Sequence, residues 1–177
     1  MKKTVLTFGL ISGAILSVMM LLTVPFMDRI GFDKGAIIGY TSMVLAFLLI
    51  FFGVRSYRDN VAGGTVRFGR ALAVGALIAT VASACYVVTW QFVYYKITPD
   101  FGEKYQAYAI EQARAGGASE AEIARKSAEM TEFFLTYKNN PAFSAAITFL
   151  EPLPVALIVA LVTAGVLSRK RKEAILT

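Results

Sequence analysis

The sequence has no histidine and a single cysteine, Cys85. These shortages leave a zinc or haem site almost without ligands, rule out an internal disulfide and remove the commonest general base. Cys85 lies inside an apolar run, the setting of an inert buried thiol and not of a reactive one. Charge is scarce too. Only 17% of the 177 residues are charged while 56% are hydrophobic, against about 45–50% apolar in a soluble domain. Mean hydropathy is +0.60, an excess that a soluble fold of this length has nowhere to bury. Several runs lack charge altogether and approach the roughly 20 residues needed to cross a hydrocarbon core about 30 Å thick. The net charge of +6 is not gathered on a face with aromatic partners, as nucleic-acid binding requires. Nucleic acid is therefore not among the expected partners.

What is present is a set of apolar segments. After Lys2 and Lys3, residues 4–24 carry no charge; the run is too long for a signal-peptide core of about 7–15 residues, and no small-residue cleavage site follows it. It reads as a retained first span. Gly9, Gly13 and Ser17 recur every fourth residue, a face where another backbone can come close, either within the chain or across a dimer. A short polar turn precedes the second span, 36–54. Then comes a loop with Arg55, Arg58, Arg67 and Arg70 against one acid, Asp59, with a turn at Gly63-Gly64. The third span, 68–93, has Ala71, Gly75, Ala79 and Ser83 in one stripe and Ala76, Thr80 and Ala84 in a second. Such low volume suits a central helix with close neighbours on two sides. Tyr86, Trp90, Phe92, Tyr94 and Tyr95 make an interfacial belt at its far end.

The polar insert 96–142 is too hydrophilic to cross a bilayer, yet it reads as helical. Thr98 is placed to cap a helix with Pro99 first and a face of Phe101, Tyr105, Tyr108, Gln112 and Ala115. Gly116-Gly117 stops it. Ser119 and Glu122 form a capping box for a second helix with the face Ile123, Ser127, Met130, Phe134 and Tyr137, ending at Asn139-Asn140-Pro141. An antiparallel hairpin follows, its apolar faces turned to each other, to the membrane surface or to a second subunit. The alternating charges around Arg125, Lys126 and Glu129 read as a solvated face.

The fourth span, 150–168, opens with Glu151-Pro152-Leu153-Pro154. Glu151 lies 18 residues before Arg169, about 27 Å of helix. That puts it near the far surface, either as a plain carboxylate at a proline bend, with 143–150 as an interfacial arm, or as a binding contact.

Spans divide the polar segments into two sets. Lys2, Lys3, the four loop arginines and Arg169, Lys170, Arg171 and Lys172 fall on one side, with only Asp59 and Glu173 as acids. The positive-inside rule makes that side cytoplasmic, with both termini there and the hairpin outside.

The layout of two spans, a basic loop, a third span, a polar helical insert and a last span resembles an uncharacterised bacterial membrane protein family, domain of unknown function 4199. So do Tyr57-Arg58-Asp59, Gly63-Gly64, Phe68-Gly69, Ala71 and Gly75, and Glu151-Pro152 before the basic tail. The resemblance implies a four-helix inner-membrane protein and supplies no activity or catalytic residue.

The expected fold is all-α: a four-helix transmembrane bundle with an extramembrane helical hairpin between the third and fourth spans. The expected function is non-enzymatic, through contacts with membrane lipids, a second copy of the chain or another membrane protein. A small oligomeric carrier or channel is the alternative. No catalytic, cofactor or metal residue is expected. The candidate lipid or partner contacts are Arg55, Arg58, Asp59, Arg67, Arg70 and Glu151. Arginines at a cytoplasmic surface attract anionic headgroups by about 1 kcal/mol each, but a cluster between two spans also serves topology alone.

Overall fold

A computed structural model describes residues 1–168, so the basic tail from Arg169 to Lys172 lies outside the described residues. Among the described residues all regular structure is helical, and the chain is a multi-pass membrane protein. Four helical stretches are long and apolar enough to cross a membrane: Lys2–Ile30, Phe32–Asn60, Phe68–Ile97 and Pro141–Leu167. The first comprises α1 (Lys2–Thr23), a short 3-10 turn at Val24–Phe26 and α2 (Met27–Ile30); Gly31 then breaks the helix before α3 (Phe32–Asn60). After the arginine loop come α4 (Phe68–Phe92), a π turn at Val93–Ile97, α5 (Phe101–Ala115) and α6 (Glu120–Asn139). The last described helices are α7 (Pro141–Leu150) and α8 (Leu153–Leu167), parted at Glu151-Pro152 where proline removes a backbone donor. Gly63 and Gly64 both have positive φ, 70° and 88°, which lets the arginine loop reverse tightly enough for Gly64 N–H to reach the Arg58 carbonyl at 2.9 Å.

α4 is the central helix, packed on α1, α3, α7 and α8. Ala71, Gly75, Ala79 and Ser83 are buried, as the first stripe requires. The second stripe is different: Ala76, Thr80 and Ala84 are exposed, and the other buried flank consists of Val74, Ile78, Ala82 and Tyr86. The Gly9–Gly13–Ser17 face is occupied by α4 of the same chain. A Cβ at Gly9 would lie 2.7 Å from Val81 Cβ, and one at Gly13 would lie 2.6 Å from Cys85 Cβ. Higher up, Thr89 Oγ1 donates to Ser17 Oγ at 2.7 Å. On the opposite side of α1, Ser12 Oγ donates to the Ala46 carbonyl at 2.8 Å. Close backbone approach matters here because lipid chains are as apolar as leucine, so helix association rests on van der Waals packing and interhelical hydrogen bonds. Phe47, Ile50, Val74 and Ile78, all 0% exposed, form the layer that closes the middle of the bundle.

α5 and α6 form the antiparallel hairpin. α6 begins with the expected capping box, Glu122 N–H donating to Ser119 Oγ and Ser119 N–H to the Glu122 carboxylate. Its buried or half-buried residues include Ile123, Ser127, Met130, Phe134 and Tyr137. α5 departs from expectation twice. It starts at Phe101, because α4 runs on through the π turn and Thr98 Oγ1 turns back to the Val93 carbonyl at 3.4 Å, closing that turn and not capping α5. And α5 meets α6 mainly through smaller residues: Gly102 lies against Phe134, and Gln106 Nε2 donates to Thr131 Oγ1 at 2.9 Å, while of the expected α5 face Tyr105 reaches Phe134 edge-on at 6.3 Å. The aromatic stripe Phe101–Tyr105–Tyr108 is thereby turned toward α3.

Candidate functional site

The aromatic stripe of α5 lands on Phe32 at the start of α3. Phe32 meets Phe101 and Tyr105 edge-on, with ring centroids 5.7 and 5.5 Å apart, and Tyr108 at 5.1 Å. Phe101 in turn meets Trp90 of α4 edge-on at 5.0 Å. Polar ties hold the same edge. Lys104 Nζ lies 2.7 Å from Asp28 and 2.9 Å from Asp100, and the Tyr108 hydroxyl donates to Asp33.

α6 is fixed by a relay. Trp90 Nε1 donates to Tyr137 Oη at 2.7 Å. Thr148 Oγ1 spends its own proton on the Ser144 carbonyl, so Tyr137 Oη donates to Thr148 across 2.6 Å. Tyr95 Oη donates to the Tyr137 carbonyl at 3.0 Å, and Gln91 Nε2 to Ser144 Oγ at 2.9 Å. The hairpin is thus docked across the bundle's end.

The ion pairs of Lys104 set a pH window for the start of α5: its pair with Asp100 lies within the helix, and its pair with Asp28 ties the helix to α2. Lys104 holds Asp100 below its ordinary value of 3.8, so that contribution is complete above 3.8 and is lost as pH falls through the lowered value. The Asp28 hydrogen bond, followed by that of Asp100, raises Lys104 above its ordinary 10.5; its share is complete below 10.5 and is lost as pH rises through the raised value. Hydrogen exchange of the first turn of α5, corrected for intrinsic rates, should be slowest across the neutral range and faster at about pH 3. Equal protection at both would contradict a stabilising role for these ion pairs at the start of α5.

Beneath the hairpin lies a cavity of about 510 Å³, within the roughly 300–1,000 Å³ of ordinary small-molecule sites. Its floor and inner wall hold Leu16, Met19, Met20, Met27 and Met43, and its roof is made by Trp90, Phe101, Phe133, Phe134 and Tyr137. Methionine is flexible and polarizable, and adapts to occupants of variable shape. Lining residues Ala36, Tyr40, Ile147 and Glu151 are exposed, which locates the mouth between α3 and α7. The opening has a structural cause. α3 packs on α8 lower down, but beyond the Glu151-Pro152 break α7 leans on α4 instead and makes at most marginal contact with α3.

Glu151 sits at this mouth, its Oε2 accepting a hydrogen bond from Tyr86 Oη at 2.9 Å. Tyr86 is sixteen residues past Arg70, about 24 Å along α4 at about 1.5 Å per residue. In a hydrocarbon core about 30 Å thick, that is the far leaflet, just short of the Trp90–Tyr95 belt. Glu151 does not stand at the end of an apolar segment, because α7 continues for ten residues beyond it.

Sequence comparison adds a family to this geometry. A family described as Protein of unknown function (DUF4199) matches residues 7–169. The chain belongs to that family. No curated protein and no solved structure matches it. The DUF4199 match spans the arginine loop, the hairpin and every residue lining the cavity. Its description carries no activity, so function has to be argued from the site.

The residues singled out from the sequence fall at two places. Arg55, Arg58 and Asp59 end α3, and Arg67 and Arg70 begin α4, all at the end away from the cavity. Arg58 Nε pairs with Asp59 at 2.7 Å and Arg55 Nε reaches it at 3.7 Å. Among the described residues, Arg67 and Arg70 form no ion pair. Glu151 stands apart from the arginines, at the cavity. The rest of the cavity was missed, although four of the six methionines line it; methionines scattered over three helices carry no spacing signal.

Proposed function

We propose that the chain is a bacterial inner-membrane protein with both termini cytoplasmic, and that it acts by binding and not by catalysis. Its cavity, on the periplasmic side, holds an apolar chain of a membrane-derived lipid. The observation that carries this is the cavity itself, lined by methionine and aromatic side chains, with a sideways mouth between α3 and α7, which the count along α4 from Arg70 puts at the depth of lipid tails. A lipid chain can enter such a mouth without crossing water. The arginine loop supports the orientation by the positive-inside rule, and Arg67 and Arg70, in no ion pair among the described residues, can meet anionic headgroups at the other surface. A carrier or channel through one protomer is disfavoured, because the layer of Phe47, Ile50 and Ile78 below the cavity has no exposed surface.

Trp90 is the only tryptophan and lines the cavity, so its fluorescence reports occupancy. Gly39 also lines the cavity, and nothing lies within 4 Å of a Cβ built there, so Gly39→Phe fills the space without a clash at the backbone. Reconstituted with chain-brominated phosphatidylcholine, the wild type is expected to show quenching of Trp90 that saturates at low lipid, and Gly39→Phe to lose most of that component. Identical quenching curves would sink the proposal.

A further inference from the structure

Glu151 is the only carboxylate among the residues lining the cavity, and no lysine or arginine lines it. Among the described residues its Oε1 has no hydrogen-bond partner, while Oε2 is taken by Tyr86. A carboxylate at the depth of lipid chains is costly unless paired and hydrogen-bonded. A phenol supplies half of that need and no charge. A cation with N–H donors would supply the other half and keep the carboxylate ionised, and among the described residues no lysine or arginine lines the cavity to do so.

The placement says where such a group would be carried. An amphiphile entering chain-first fills the methionine-lined floor and leaves its polar end at the mouth, beside Glu151 and the phenol of Tyr40. We propose that the cavity selects an amphiphile bearing a primary ammonium, whose N–H groups bond Glu151 Oε1 while Tyr86 holds the other oxygen. An ammonium has three donors and no acceptor, which matches the acceptor left open on Glu151 Oε1 and the oxygen of the Tyr40 phenol. This inference rests on the lipid-binding reading above. Two sources share the chemistry: a single-chain amine and an aminophospholipid of the bilayer.

The test uses the full chain in phosphatidylcholine nanodiscs, with Trp90 fluorescence reporting competition by dodecylamine, dodecanol and dodecyltrimethylammonium. The wild type is expected to favour dodecylamine over dodecanol by about tenfold or more, the worth of one charge-assisted hydrogen bond. Dodecyltrimethylammonium, charged but without N–H, is expected to bind clearly more weakly than the amine. Glu151→Gln keeps an acceptor for Tyr86 and should abolish the preference, bringing amine and alcohol to equal affinity. Should that variant not fold, the comparison of the three probes on the wild type decides. Equal binding of amine and alcohol by the wild type, or an amine preference that survives Glu151→Gln, overturns the ammonium site while leaving lipid binding standing. Failure of all three probes removes the lipid-binding reading itself. In a parallel arm, preference for phosphatidylethanolamine over phosphatidylcholine discs assigns the source to the bilayer; preference for dodecylamine alone assigns it to a single-chain amine.

Discussion

Tyr137→Ala is expected to undock the hairpin from the bundle. Tyr137 is 6% exposed and is the point where three helices meet. Its ring packs edge-on against Tyr94 at 5.1 Å, and its hydroxyl receives the Trp90 N–H and bonds Thr148 of α7. Removing a buried aromatic costs about 3–5 kcal/mol in packing and cavity terms. Truncation also strands the indole N–H, which has no acceptor role to fall back on. The expected readouts are a shift of Trp90 emission toward that of a solvated indole and loss of exchange protection along α6, with α1 and α3 still protected. Tyr137→Phe keeps the ring and leaves the N–H unpaired, so it should show the same pattern at about 1–3 kcal/mol. An Ala variant as well protected as the wild type would mean the hairpin is held by something other than this relay.

The second large effect is expected at the seam between α1 and α4. A valine at Gly13 brings a β-branched side chain where a Cβ alone would already be 2.6 Å from Cys85 Cβ and 3.4 Å from Ala82 Cα. The contact is with backbone and the root of a side chain, so no flexible end can move aside. Overpacking of this kind costs about 1–3 kcal/mol, and here it also separates the helices whose close approach replaces the hydrophobic effect. Cys85, the only thiol, gives a direct readout. In Gly13→Val its reaction with a membrane-permeant maleimide should accelerate and the unfolding midpoint in detergent should fall. By contrast, Gly165→Ala should leave both unchanged, because a Cβ there meets nothing within 4 Å. Equal effects of the two would refute the seam.

These sites differ in how far their residues announced them. That four apolar stretches exist was legible from charge-free length, and the every-fourth-residue glycines of α1 announced a close backbone approach without saying whose; the start of the fourth stretch was not legible, because it runs from Pro141 to Leu167 through the proline break and not from residue 150. The cap at Ser119–Glu122 was legible for a like reason: two side chains at fixed spacing satisfy two orphan N–H groups. The second stripe of α4 was not. Ala76, Thr80 and Ala84 neighbour the buried stripe on one side and Val74, Ile78 and Ala82 on the other, and facing lipid or facing a helix makes the same demand for apolar atoms. Only the positions of α1, α3 and α8 choose between them.

The misread face of α5 has a related cause. Phe101, Tyr105 and Tyr108 did form a packed stripe, but a periodic apolar face says only that something covers it, not which element. Phe32 of α3 covers most of it, with only Tyr105 also reaching Phe134 of α6, whereas α6 otherwise uses Gly102, where a Cβ would lie 2.8 Å from the Phe134 ring, and Gln106. Because of that rotation the large rings form a roof, and a volume is left beneath them. Glu151 was visible as an ionisable residue in an apolar segment; its partner Tyr86, 65 residues earlier in the chain, was not.

Mass spectrometry of the intact protein, released from its native membrane in mild detergent, tests the central claim most directly. The wild type is expected to carry one tightly held lipid-sized adduct that survives detergent exchange, and Gly39→Phe to lose it while remaining folded. A wild-type spectrum without an adduct, or the same adduct on both proteins, would contradict a lipid seated beneath the hairpin.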